Sequence, residues 1–270
     1  MVLVDGHVHL YDCFDIGRAF DAAAANFAAA AKSFGGKPRY DSILCLVEGA
    51  AEHFMADLRA GLQGRVWRGQ HGYWELEEGD EPETVVVRRG GTRLAVIVGR
   101  QLVTRERLEV LALGTTAPIR DGEPIEATLA AVEDVGAAAV LPWGVGKWFG
   151  ARGAIVDRIL ADPKWGKVFL GDNGNRLQLG LEPSRFAAAR KAGRCVLPGS
   201  DPLPLPGEEA RLGAYGFAID LDLDPLRPAA ALLAVLRSGA AFVAFGRRER
   251  LGHFLTKQLE LKCKSRVEHA

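Results

Sequence analysis

An α/β fold, a distorted TIM-like barrel carrying an antiparallel β insertion, is what the sequence predicts, on three observations. Short apolar runs suited to buried parallel strands alternate with helical stretches along most of the 270 residues. Many of these runs end in polar or glycine-rich residues, which a barrel gathers at one mouth. One stretch, 65–103, abandons the alternation for consecutive strand-like segments. No glycine-rich dinucleotide fingerprint follows the first strand, which argues against an open nucleotide-binding sheet.

The elements follow in order. Val2 to Val4 open the first strand, which runs into the polar residues Asp5 to His9. Ala19 to Phe34 is alanine-rich, and Gly35-Gly36 stops it as a helix. Ile43 to Val47 reads as a buried strand and Ala50 to Leu62 as a helix. The insertion holds strand-like Val66-Trp67, Tyr73 to Leu76, Thr84 to Val87 and Leu94 to Val98, separated by acidic Glu77 to Glu83 and the turn Gly90-Gly91. Strands are then expected at Leu108 to Leu113, Ala138 to Leu141, Val168 to Leu170, Arg194 to Leu197, Phe217 to Leu221 and Ala241 to Phe245. Helices are expected at Ile125 to Val135, Ala154 to Leu160, Pro183 to Lys191 and Arg227 to Leu236. Such β-α repetition implies a parallel sheet with helices outside, within a single domain spanning 1–270. Residues 247–270 form a C-terminal extension, helical by the amphipathic basic pattern of Leu251 to Lys264.

Thirty-four basic residues balance 34 acidic ones. Bulk charge therefore supplies no excess to neutralise phosphates, and no nucleic-acid partner is expected on that ground. Four dispersed cysteines without CxxC spacing read as free thiols. The start lacks a signal-peptide layout and no uncharged apolar run approaches about 18 residues, so a soluble cytoplasmic protein without membrane contact is expected. The oligomeric state has no signature here.

Asp5-Gly-His7-Val-His9 is the sharpest chemical signal. Alternate strand residues share a face, so two imidazoles can take one divalent ion while Asp5 orients a ring. Gly199-Ser200-Asp201 follows another apolar strand, placing Asp201 where it can complete a metal site or act on a bound water. Asp172, in Gly171-Asp-Asn-Gly-Asn-Arg176, is the next carboxylate expected at the mouth, against the alternative of plain turn chemistry. The segment from Pro142 to Gly153 joins a strand to a helix, and its Trp143, Lys147 and Arg152, with Arg176, are the substrate-binding candidates, suited to a small anionic ligand. His53, His71, His253 and His269 read as structural or exposed.

With these residues placed, the chain resembles the polymerase and histidinol phosphatase (PHP) family, within the wider range of amidohydrolase-like metal hydrolases. Asp5-x-His7-x-His9 matches the opening motif. Leu44 to Gly49 stands where the family has a strand ending Thr-Asp-His. Gly99-Arg-Gln101 with Leu108 to Gly114 resembles the segment of the bridging glutamate and next histidine. Leu141-Pro-Trp143 stands at Ala-His-Pro, and Gly199-Ser-Asp-Pro-Leu203 at the closing Gly-Ser-Asp-Ala-His. The resemblance implies a distorted seven-stranded (β/α)7 barrel and phosphoester hydrolysis with divalent ions. Gln101, Gly49, Pro142 or Trp143, and Leu203 replace ligands of that pattern. His7, His9 and Asp201 survive, enough for one ion of zinc, manganese or iron.

The expected function is therefore hydrolysis through a metal-activated water, with Asp172 or Glu48 accepting a proton and Lys147 stabilising negative charge. The alternatives are a catalytically degenerate barrel that binds a ligand or a protein partner, and a metal-free enzyme using Lys147 as a Schiff-base nucleophile.

Overall fold

The computed structural model describes residues 1–35, 41–60, 67–144, 146–176 and 182–248. The expected C-terminal helix lies outside them, as do His253 and His269. The first half of the described chain runs β1 (Val2–Val8), α1 (Ile16–Ser33), β2 (Asp41–Glu48), α2 (Phe54–Ala60), β3 (Trp67–Gly69), β4 (Gly72–Glu78), β5 (Thr84–Arg89) and β6 (Thr92–Val103). The second half continues with β7 (Glu109–Leu113), α3 (Ile125–Asp134), β8 (Ala138–Pro142), α4 (Gly150–Ala161), β9 (Phe169–Asn173), α5 (Ser184–Lys191), β10 (Val196–Gly199), β11 (Tyr215–Ile219), α6 (Pro228–Arg237) and β12 (Phe242–Gly246).

The strands form one nearly closed mixed sheet in the order β10-β9-β8-β7-β6-β2-β1-β11-β12, with β3, β4 and β5 stacked antiparallel onto β6. The architecture is the expected distorted α/β barrel. The expectation of parallel strands throughout is corrected: β7 runs antiparallel to both β6 and β8, and β11 antiparallel to β1 and β12. A parallel neighbour needs a crossover, usually a helix. None lies between β6 and β7, where Thr104 N–H bonds Leu108 O at 2.8 Å in a tight hairpin. No α-helix separates β10 from β11 either.

Strand alternation divides the core. Val2, Val4, Ile43, Cys45, Ala95, Ile97, Leu111, Val140, Phe169 and Leu197 fill the interior, closed at one end by Leu232, Leu233 and Leu236 of α6. Leu3, Leu44, Leu46, Val96 and Val98 face outward beneath α1, whose Ala19, Phe20, Ala23, Phe27 and Ala30 recur at helical spacing. A third cluster lies under α3, α4 and α5. Asp15 caps α1 by accepting the Arg18 N–H at 3.1 Å. The insertion is tied to the α6 plug. The buried Glu81 carboxylate accepts the N–H groups of Ala229 and Ala230 at that helix's start and the Thr84 hydroxyl at 2.7 Å.

The barrel closes where β1 meets β10. Gly6 and Gly199 allow this approach: a Cβ on Gly6 would stand 2.8 Å from Pro198 O, and one on Gly199 only 2.4 Å from the His7 nitrogen. The fully buried Asp5 then binds the seam. It accepts N–H bonds from Ser200 at 2.8 Å, Gly213 at 2.8 Å and His7 at 3.3 Å. Asp5→Ala leaves three buried donors unpaired, so urea denaturation is expected to show a loss of about 3–5 kcal/mol; a loss under about 1 kcal/mol would remove Asp5 as the seam's anchor.

Candidate metal centre

A register shift between Asp5 and Val8 inserts one extra residue into β1 relative to β2. Such a bulge reverses the facing of everything beyond it. Val2 and Val4 point inward below it, and His7 and His9 point inward above it, while Val8 joins the outer cluster. The expectation that Asp5 shares a face with both histidines is thereby corrected, and its carboxylate contacts backbone amides and neither ring.

His7, His9 and Asp201 converge, nearly 200 positions apart in sequence. His7 Nε2 lies 3.1 Å from His9 Nε2 and 3.5 Å from Asp201 Oδ1, and His9 Nε2 lies 3.8 Å from the same oxygen. Two donors on one tetrahedral zinc stand roughly 3.3–3.4 Å apart, given bonds of about 2.0–2.1 Å. The group therefore fits a single divalent ion. Asp201 sits at φ 45°, a left-handed conformation rare outside glycine, and its N–H bonds His7 O at 2.8 Å.

Burial pushes the His7 imidazole down to about 4, with Asp201 acting against it. Burial also lowers His9, but Glu52 and Asp201 outweigh it and leave that ring above its ordinary value. Asp201, despite burial, is held below the usual carboxylate range by His7, His9 and Lys147. Glu52 Oε2 faces His9 Nδ1 at 3.7 Å and accepts the Gly49 N–H at 2.8 Å. Tyr11 stacks on the other side of His9, ring centroids 5.5 Å apart.

Two carboxylates expected at the mouth are elsewhere, for one reason. On β9, Phe169 faces the interior while Leu170 joins the outer cluster, so Asp172 points outward. There it is buried in a bidentate pair with Arg176 at 2.8 and 2.7 Å and accepts the Tyr215 hydroxyl at 2.8 Å. Arg176, expected to bind substrate, is buried in that pair too. On β2, Ile43, Cys45 and Val47 face inward, so Glu48 faces out and accepts the Met55 N–H at 2.7 Å. Neither carboxylate points to the mouth.

Lys147 pairs with Glu109, and both act electrostatically on His7. Arg152 bonds Gly146 O at 2.9 Å, and half-buried Trp143 holds the strand end through Gly171 O at 2.8 Å. Three residues absent from the sequence reading belong to this site. Glu109 alternates with inward Leu111 and Leu113, but only the antiparallel course of β7 brings its first residue to the mouth. Asn173 follows the inward face of β9 and donates to Asp201 Oδ2 at 2.8 Å. Glu52 lies in the loop before α2, which begins at Phe54 and not at Ala50 as the sequence predicts.

No protein-family model matches the chain, and no curated protein does. Solved structures do. PsfC from Pseudomonas syringae PB-5123 superposes with a TM-score of 0.54 at 19% identity, over 90% of this chain and 91% of that one. This likeness shows the fold. A lesion-specific endonuclease, PfuEndoQ from Pyrococcus furiosus, gives 0.48 at 14% identity over 90% of this chain and 57% of its own. Endonuclease Q bound to a 27-mer duplex with an abasic lesion gives 0.48 at 13% over 92% and 60%. The exclusion of nucleic acid by bulk charge is corrected on physical grounds: zero net charge leaves local cations such as Lys147 and Arg152 in place at the mouth, and a local cluster suffices to meet phosphates. No helix among the described residues is long and apolar enough to cross a membrane.

A metal ion competes with the proton on His9, whereas His7 is neutral down to about pH 4. Uptake below pH 6.5 therefore displaces about one proton, and apparent affinity falls about tenfold per unit of acidification toward pH 5. Titration against a chromogenic chelator reads this slope, and a pH-independent affinity contradicts it.

Proposed function

We propose that the chain is a metal-dependent hydrolase of phosphoesters built on one divalent ion held by His7, His9 and Asp201. The observation that carries this reading is the convergence of two buried imidazole nitrogens and one carboxylate oxygen at the strand ends of a barrel. A divalent ion bound there supplies Lewis acidity and a nucleophilic water at neutral pH.

The chain's own residues do the rest. Burial keeps His7 neutral, with its lone pair available. Glu52 and Tyr11 fix the plane of the His9 ring from two sides. Lys147, whose side chain is 38% exposed, presents its ammonium to an anionic substrate oxygen, and Arg152 adds charge beside it. When Lys147 turns to that oxygen it releases Glu109 Oε1, which accepts a proton from the attacking water. Trp143 forms part of the rim. The phosphoester class is supported by these cations and by the family that the opening motif resembles.

A metal-free binding module is the second reading. It is favoured by the outward Glu48 and Asp172: among the described residues Asp201 is the one carboxylate grouped with both imidazoles.

Thermal unfolding with added Zn²⁺ or Mn²⁺ separates the two readings. Stabilisation of the wild type that disappears in His7→Ala is expected. Hydrolysis of p-nitrophenyl phosphate or its bis-ester should be lost in the same variant. Lys147→Met is expected to lower kcat by about 10²–10³-fold while leaving metal-induced stabilisation in place. A folded wild type that neither responds to metal nor hydrolyses either ester overturns the hydrolase.

A further inference from the structure

We propose that Asn173 and Asn175 restrict Asp201 to coordination through one oxygen, and thereby make the centre selective for a four-coordinate ion, zinc, over manganese. The inference rests on the reading of His7, His9 and Asp201 as ligands and adds which ion they take.

Asp201 Oδ2 is engaged twice, by Asn173 Nδ2 at 2.8 Å and by Asn175 Nδ2 at 3.2 Å. Oδ1 alone faces the imidazoles, at 3.5 and 3.8 Å. Both asparagines are fixed in turn. Asn173 Nδ2 also donates to Trp143 O at 2.7 Å, which assigns the orientation of its amide. Asn175 Nδ2 donates to Asp201 O at 2.6 Å, and its Oδ1 accepts from Arg211 at 2.6 Å. The backbone gives no compensating freedom. Asp201 is held at φ 45°, and its N–H is bonded to His7 O.

Turning the second oxygen toward an ion therefore means breaking both asparagine bonds to it. Manganese and magnesium prefer octahedral, oxygen-rich surroundings, which a chelating carboxylate helps to complete. Two imidazoles, one carboxylate oxygen and an open position suit zinc. A carboxylate kept to one oxygen by two amide donors holds the coordination number low.

The test titrates metal-free protein with Zn²⁺, Mn²⁺ and Co²⁺ alone, in the wild type, Asn173→Ala, Asn175→Ala and the double variant. Nitrogen-containing sites favour zinc over manganese in any geometry, so the quantity read is the change in the affinity ratio. The ratio is expected to fall about tenfold or more in the double variant. The visible absorption of the cobalt-loaded protein should weaken as Asp201 begins to chelate and coordination number rises. Thermal unfolding of the metal-free variants verifies that they fold. If buried Asn173 does not tolerate truncation, Asn175→Ala, in the half-buried turn, carries the same comparison. An unchanged ratio and cobalt spectrum in folded variants overturn the role of the asparagines and leave the ligand set standing. No uptake of any of the three ions by the wild type overturns the ligand set itself, and the inference with it.

Discussion

One buried carboxylate organises the molecule. Asp5 has no exposed surface, and burial lifts its pKa to about 7 against the opposing pull of its N–H donors. Those donors come from β1, from the exit of β10 and from the loop entering β11. The anion is costly to bury, and three backbone amides offset that cost only while all three segments stay together. The β1–β10 seam and the convergence of His7 with Asp201 both depend on this arrangement.

The bulge and the seam act together. The bulge presents His7 and His9 to the interior, and the paired approach of Gly6 and Gly199 lets Asp201 reach them without a conventional ladder between β1 and β10. A site made from two strands with no regular hydrogen bonding between them needs another restraint. The Asp201 N–H to His7 O bond, together with Asp5 below it, supplies that restraint. The Arg176–Asp172–Tyr215 cluster performs a separate, structural task on the outer face of the same barrel wall.

Much of this was legible in the residues. Apolar runs and their glycine or polar stops marked the strands, and the two histidines and Gly-Ser-Asp marked the mouth. Strand parity ties Asp172 to Leu170 and Glu48 to Leu44 and Leu46, but a strand apolar on both faces does not say which face is outward. Only the packing under the helices assigns both carboxylates to the outer wall. Other features were not legible. A one-residue register slip leaves no composition signal, and simple alternation puts Asp5 on the face of the histidines beyond it. The reversed direction of β7 depends on pairing partners distant in sequence, which hid Glu109. Glu52 lies in the span Ala50 to Leu62 that reads as helix, whereas α2 begins at Phe54 and leaves it in the preceding loop.

The contact of Glu81 with the first amides of α6 bears on how this scaffold tolerates change. The inserted hairpins look like a peripheral ornament, yet one of their carboxylates seats the helix that seals the barrel floor. Excising or exchanging them as a cassette would unseat that floor at the end opposite the histidines. Diversification here is constrained to the loops at the rim, and the inserted strands must be inherited together with the helix they hold.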